Sequence, residues 1–63
     1  MIEVMIECWT NPDGGAAHIW SLWRDGSRLQ FGSKHDTPEA AEAEALAFCQ
    51  RALGTAPDRV TRL

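Results

Sequence analysis

Apolar and polar side chains alternate along the first part of the chain. In an extended conformation they separate into Ile2, Val4, Ile6 and Cys8 on one side and Glu3, Met5, Glu7 and Trp9 on the other. This period of two predicts a half-buried β-strand over residues 2–9. The strand ends in residues 10–15, which are rich in the turn-forming residues Asn, Pro, Asp and Gly. A connection of odd length here places Ile6 on the same side of the sheet as Trp20.

A second apolar stretch, residues 17–24, leads into Asp25-Gly26. This dipeptide predicts a two-residue type I′ turn, because both central positions of that turn need positive φ. Pairing the strands outward from the turn gives a core face that consists of Trp20, Leu22, Leu29 and Phe31. The other face of the hairpin then carries Ile19, Ser21, Trp23, Arg28 and Gln30. We therefore predict an antiparallel hairpin with one wholly apolar face in the core.

The C-terminal half of the chain contains the start of a helix at Thr37-Pro38-Glu39. Thr is a preferred N-cap, Pro fits the first helical position, and acidic side chains favour the first turn. The helix is predicted to run to Leu53 and to stop at Gly54. Its apolar stripe comprises Ala41, Ala45, Phe48, Cys49, Ala52 and Leu53. The side chains expected to point away from the sheet are Glu39, Glu44, Gln50 and Arg51.

Together these elements predict one α+β domain over residues 1–63. We expect a three-stranded antiparallel sheet with one C-terminal helix packed on one face, in the order β-β-β-α. Residues 58–63 alternate over too short a stretch to distinguish a short fourth strand from an ordered tail. A chain of 63 residues buries only about 60% of the surface that unfolding exposes, so its core is small.

Hydropathy and charge bear on location and partners. No stretch reaches the roughly 18 apolar residues of a membrane span, and residues 1–4 lack the basic start of a signal peptide. We therefore expect a cytoplasmic protein with no membrane partner, in which Cys8 and Cys49 are reduced, small, buried side chains. The net charge of −3 argues against nucleic acid as a partner, because phosphate neutralisation supplies most of that affinity.

Residues 19–47 combine a Trp-bearing hairpin with an alanine-rich helix. The positions that define this combination are Trp20, Trp23, Asp25-Gly26, Ser33, His35 and Thr37. In these positions the segment resembles small bacterial hairpin-helix domains of unknown function. The resemblance implies no activity, cofactor or partner.

The face of the sheet away from the predicted core also carries large apolar side chains. A domain with one helix has no further element to cover this face, and large exposed apolar patches mark interaction sites. The candidate binding residues are Met5, Trp9, Ile19, Trp23 and Arg28. They predict a protein-interaction or homo-oligomerisation module, in the simplest case a homodimer, that binds itself or another protein.

A second interpretation of the same face is a weak single-stranded nucleic-acid binder. In that case Trp9 and Trp23 stack on bases, while Arg24 and Arg28 contact phosphates. The negative net charge favours the first interpretation.

Residues with metal-binding or catalytic chemistry are few. The potential zinc ligands are Cys8, His18, His35 and Cys49, and none of their spacings is that of a zinc signature. The adjacent pair His35-Asp36 does not make a nucleophile and base, and burial on the helix stripe makes Cys49 unreactive. We expect no metal site, no cofactor and no enzymatic activity.

Overall fold

A computed structural model describes all 63 residues of the chain. Its elements are β1 (Ile2–Thr10), β2 (Ala16–Arg24), β3 (Ser27–His35), α1 (Pro38–Leu53) and β4 (Arg59–Arg62). The strands form one sheet in the order β3-β2-β1-β4, and α1 packs against one side of it. The α+β class, the three antiparallel strands and the C-terminal helix on one face are confirmed. Residues 59–62 are the fourth strand.

The helix α1 carries the chain from one edge of the sheet to the other. β3 and β4 are the two edges, and β4 runs parallel to β1 with Val60 opposite Val4. Parallel strands need a crossover connection, which the 16-residue helix supplies. This helix is neither long nor apolar enough to cross a membrane. We call the side of the sheet that α1 covers the inner face, and the opposite side the outer face.

Both ends of α1 follow from its flanking residues. The Thr37 side chain accepts a 3.1 Å hydrogen bond from the Ala40 amide, and Pro38 occupies the first turn. At the other end Gly54 adopts the left-handed conformation with φ 71°, and its N–H donates to the Gln50 carbonyl. The predicted caps are therefore the ones that form.

β1 and β2 pair without interruption. Ile6 lies opposite Trp20 and Val4 opposite Leu22, so the apolar sides of the two strands coincide on the inner face. The connection between the strands, residues 11–15, has the predicted odd length.

The core lies between α1 and the two central strands. Its buried side chains are Val4, Ile6, Trp20, Leu22, Ala41, Ala45 and Cys49. Phe48 packs on Trp20 with ring centroids 5.4 Å apart and is the main aromatic contact from the helix. The predicted helix stripe is largely present. Ala52 is exposed, whereas Leu53 in the same turn packs against the core.

The hairpin between β2 and β3 closes through the predicted turn. Asp25 and Gly26 have φ angles of 51° and 84°, as a type I′ turn requires. The first pair that faces outward, Trp23 opposite Arg28, is also the predicted one.

Two β-bulges in β3 then change the register. Leu29 is the extra residue of the first bulge, since Leu22 pairs with Gln30 and not with Leu29. Ser21 consequently lies opposite Phe31. One inserted residue turns each following side chain to the other face, because the side-chain period of a strand is two.

The predicted core face is therefore correct for β2 and wrong for β3. Trp20 and Leu22 are buried as expected, whereas Leu29 and Phe31 are 44% and 58% exposed. Phe31 shares the outer face with Ser21, its partner across the strands.

The second bulge makes room for Trp20. Residues 32 and 33 both lie opposite this tryptophan, and the next pair is Ile19 with Lys34. A side chain on Gly32 would overlap the Trp20 indole, so only glycine fits there. Lys34 is thereby placed beside Ile19 on the outer face.

Candidate interaction face

The outer face is a surface to which all four strands contribute. Strand pairing arranges its side chains in rows that run across the sheet from β1 to β3. The rows are Glu3 with Trp23 and Arg28, Met5 with Ser21 and Phe31, Glu7 with Ile19 and Lys34, and Trp9 with Ala17. β4 extends the first two rows, with Arg59 beside Glu3 and Thr61 beside Met5. Because α1 lies on the inner face, these rows have no second layer above them.

Large apolar side chains on the outer face are accessible. Trp9 and Phe31 are 56% and 58% exposed. The other large apolar side chains, which are partly exposed, are Met5, Ile19 and Trp23. The small residues Ala17 and Ser21 are buried, so the larger side chains already pack together over them. A contiguous apolar surface of this kind is typical of an interaction site.

Trp23 is held in one orientation on this surface. Its indole N–H donates a 2.8 Å hydrogen bond to Oγ of Ser21, and Ser21 is buried. A partner that covers the ring therefore leaves no indole donor unsatisfied, which avoids a desolvation penalty. The ring is a preorganised apolar platform.

A small groove of about 150 Å³ opens on the outer face. Its walls include Trp9, Ile19 and Phe31, and Glu7 and Arg28 also line it. The Arg28 guanidinium lies 4.9 Å from the centroid of the Phe31 ring, within cation–π distance. The groove thus combines apolar walls with one acid and one base.

The charged side chains of the outer face fall into two groups. Those that form no ion pair within the chain are Glu7, Arg28 and Lys34. Glu3 instead accepts hydrogen bonds from Nε of Arg59 and Oγ1 of Thr61, both at 2.9 Å. The hydrogen bond from Arg59, and then that from Thr61, lowers the pKa of Glu3. Glu3 is therefore ion-paired within the chain, whereas Glu7, Arg28 and Lys34 are free to pair with charges on a partner.

At the edge of the inner face, Glu44 accepts hydrogen bonds from β2 and β3. The Trp20 indole N–H donates to Oε1 of Glu44 at 2.6 Å, and the Ser33 amide donates to the same oxygen at 3.4 Å. Nε2 of His35 lies 3.3 Å from Oε2. The hydrogen bond from Trp20, followed by the contact with His35, lowers the pKa of Glu44. The prediction that Glu44 points away from the sheet is wrong, because the buried indole N–H needs an acceptor.

The sulfur and imidazole side chains do not come together as a metal site. No group of three His, Cys, Asp or Glu side chains is placed to hold a metal ion. Cys49 is fully buried, its thiol donates to the Thr55 carbonyl at 3.2 Å, and burial raises its pKa. The expectation that Cys8 is also buried is wrong, because it lies beside His18 in a part of the sheet outside the core.

Comparisons with known proteins assign this chain to no family. No family model, curated protein or solved structure matches the chain. The resemblance of residues 19–47 to small bacterial hairpin-helix domains stays a prediction.

All the predicted binding residues project from the outer face. They are Met5, Trp9, Ile19, Trp23 and Arg28. Phe31 and Lys34 lie on the same face; the predicted register put Phe31 in the core, and the predicted binding residues did not include Lys34. Gly32 is a sequence signal for the second bulge, which sets Lys34 opposite Ile19, since an isolated glycine inside a strand pattern indicates a bulge. The bulge at Leu29, which turns Phe31 outward, contains no glycine.

Proposed function

We propose that this chain is a homo-oligomerisation module whose outer face binds a second copy of itself. The observation that supports this function is that α1 covers only one face of the sheet. On the other face, the side chains of Trp9 and Phe31 are each more than half exposed. Burial of apolar surface drives association, and an aromatic side chain buries about 150–250 Å². A second copy supplies a matching apolar face and completes a layered core.

The size of the outer face suits a weak, concentration-dependent interface. The accessible surface of the chain is 4034 Å², and about 4,000 Å² is expected for a monomer of this mass, so the fold is compact without a partner. A standard interface takes about 800 Å² from each partner. Strands of nine residues are about 30 Å long and lie about 4.8 Å apart, so the three long strands cover roughly 430 Å², which is about half of that area and predicts a weak dimer that forms as concentration rises.

Sedimentation velocity over a range of concentrations tests this function. We expect the wild-type chain to pass from monomer to dimer as concentration rises. Trp23→Ser should stay monomeric to higher concentration, because it removes a large apolar ring from the central part of the outer face. Circular dichroism should show that this variant folds, since Trp23 lies outside the core.

The matched control is Leu46→Ala, which removes an exposed apolar side chain from α1 on the other side of the molecule. It should associate like the wild type. A wild-type chain that stays monomeric at the highest attainable concentration contradicts the proposal. Salt-sensitive quenching of tryptophan fluorescence by a single-stranded oligonucleotide, in a monomeric chain, would favour nucleic acid as the partner.

A further inference from the structure

Acidic and basic side chains lie on opposite flanks of β2 on the outer face. Two rows repeat the order of acid on β1, apolar residue on β2 and base on β3: Glu7 with Ile19 and Lys34, and Glu3 with Trp23 and Arg28. β1 and β3 are two strand spacings apart, roughly 9.6 Å. Glu7 and Lys34 form no ion pair within the chain. Both charges are therefore free to meet charges on a partner.

Two such sheets that pack face to face about a two-fold axis have two aligned arrangements. An axis parallel to β2 places β1 of one copy over β3 of the other, at the same height along the strands. An axis perpendicular to the strands places β1 over β1 and β3 over β3. The first arrangement sets acids opposite bases, whereas the second sets like charges opposite each other and so opposes association.

Resting on the proposed function, we infer that the partner is a second copy related by an axis along β2, so that Glu7 of each copy contacts Lys34 of the other. The central row fits this arrangement. Ser21, small and buried, lies on the axis, and Met5 packs against Phe31 of the second copy, a favourable sulfur–aromatic contact. Packed sheets lie about 10 Å apart, a gap that a glutamate and a lysine together bridge.

Glu7 and Lys34 form the pair that determines this arrangement. Glu3 already accepts a hydrogen bond from Arg59, and the Arg28 guanidinium lies over the Phe31 ring. The row of Glu3 and Arg28 consequently adds only long-range charge complementarity between the two copies. The row of Glu7 and Lys34 supplies a new ion pair.

Charge reversal tests the axis. Glu7→Lys alone brings two lysines together at each contact, and Lys34→Glu alone brings two carboxylates together. Each variant alone should dimerise at least about tenfold more weakly than wild type at low salt. An equimolar mixture should form a heterodimer of near wild-type affinity, because one chain then carries bases at both positions and the other carries acids.

Sedimentation velocity gives the affinities, and native mass spectrometry with one variant isotope-labelled separates the heterodimer from the homodimers. Raised salt should reduce the differences between samples. The control Glu39→Lys changes the net charge as Glu7→Lys does, but on exposed helix surface, and should dimerise like the wild type.

Three results would overturn the inferred axis. If the variants and their mixture all dimerise like the wild type while Trp23→Ser is monomeric, the proposed function stands and the axis is wrong. If Arg28→Glu rescues Glu7→Lys and Lys34→Glu does not, the strands of the two copies cross instead of running side by side. A wild-type monomer overturns both the function and the axis.

Discussion

Among single residues, Trp20 is the most tightly constrained. Its ring is buried, Phe48 packs on it, and the absence of a side chain on Gly32 leaves room for the indole. Its N–H donates to Glu44, which lies at the edge of the inner face. A buried indole donor without an acceptor would cost stability, so the carboxylate is part of the core packing.

The lowered pKa of Glu44 makes this contact sensitive to acid. The folded state holds the carboxylate form more strongly than the unfolded chain does, since Trp20 donates to it. Glu44 therefore stabilises the fold above its ordinary pKa of 4.5, and this contribution is lost as pH falls below that value. We expect Glu44→Gln to show a weaker fall in the free energy of unfolding than wild type in this acid range.

Urea unfolding at pH values from 7 down to 3, followed by circular dichroism, measures the difference. Glu39→Gln is the control, because its carboxylate is exposed and makes no hydrogen bond or ion pair. It should retain the wild-type pH dependence. Identical pH dependence in wild type and Glu44→Gln would show that the charge of Glu44 contributes nothing to stability.

Among the secondary-structure elements, α1 owes its position to small side chains. Ala41, Ala45 and Cys49 recur every four residues and are fully buried against the sheet. Larger side chains on this row would push the helix away from the buried side chains of β1 and β2. The close approach also lets Glu44 reach the indole of Trp20.

Enlarging this row should separate helix and sheet. Ala45→Leu is expected to lower the free energy of unfolding by about 1–3 kcal/mol, the usual cost of overpacking a core. Ala43→Leu makes the same change at an exposed position of the helix and should leave stability nearly unchanged. Urea unfolding of both variants provides the comparison, and equal stabilities would mean that the helix does not pack closely through this row.

For the whole molecule, the small core links folding to association. The Cα atoms span 37 × 20 × 15 Å, and the core cluster contains only seven buried residues. A domain this small is only marginally stable on one core. Burial of the outer face against a second copy would add a second apolar layer and so stabilise the folded state.

The melting temperature should therefore depend on protein concentration. We expect the wild-type melting temperature to rise as concentration increases, because dimerisation removes folded monomer from the unfolding equilibrium. Trp23→Ser should melt at a temperature that does not change with concentration. Calorimetry at several concentrations tests this, and a constant wild-type melting temperature would separate folding from association.

Local patterns were enough to predict the three antiparallel strands, the helix and both ends of the helix, but not the fourth strand. Alternation in residues 2–9, the dipeptide Asp25-Gly26 and the cap at Thr37 each depend on residues adjacent in the chain. The backbone preferences of such residues act over one or two turns, so they can be inferred without knowledge of the fold. The same patterns placed the candidate binding residues on one face.

Long-range packing determined the rest. Trp20 needs space above β3 and an acceptor for its indole, and residues distant in sequence, Gly32 and Glu44, meet these needs. The bulge at Leu29 turned Phe31 outward, although its own apolar character favoured the core. The side-chain period and the backbone propensity of a strand depend on neighbouring residues in the chain. A bulge instead adds one residue where side chains from separate elements must fit together, so it depends on the tertiary structure.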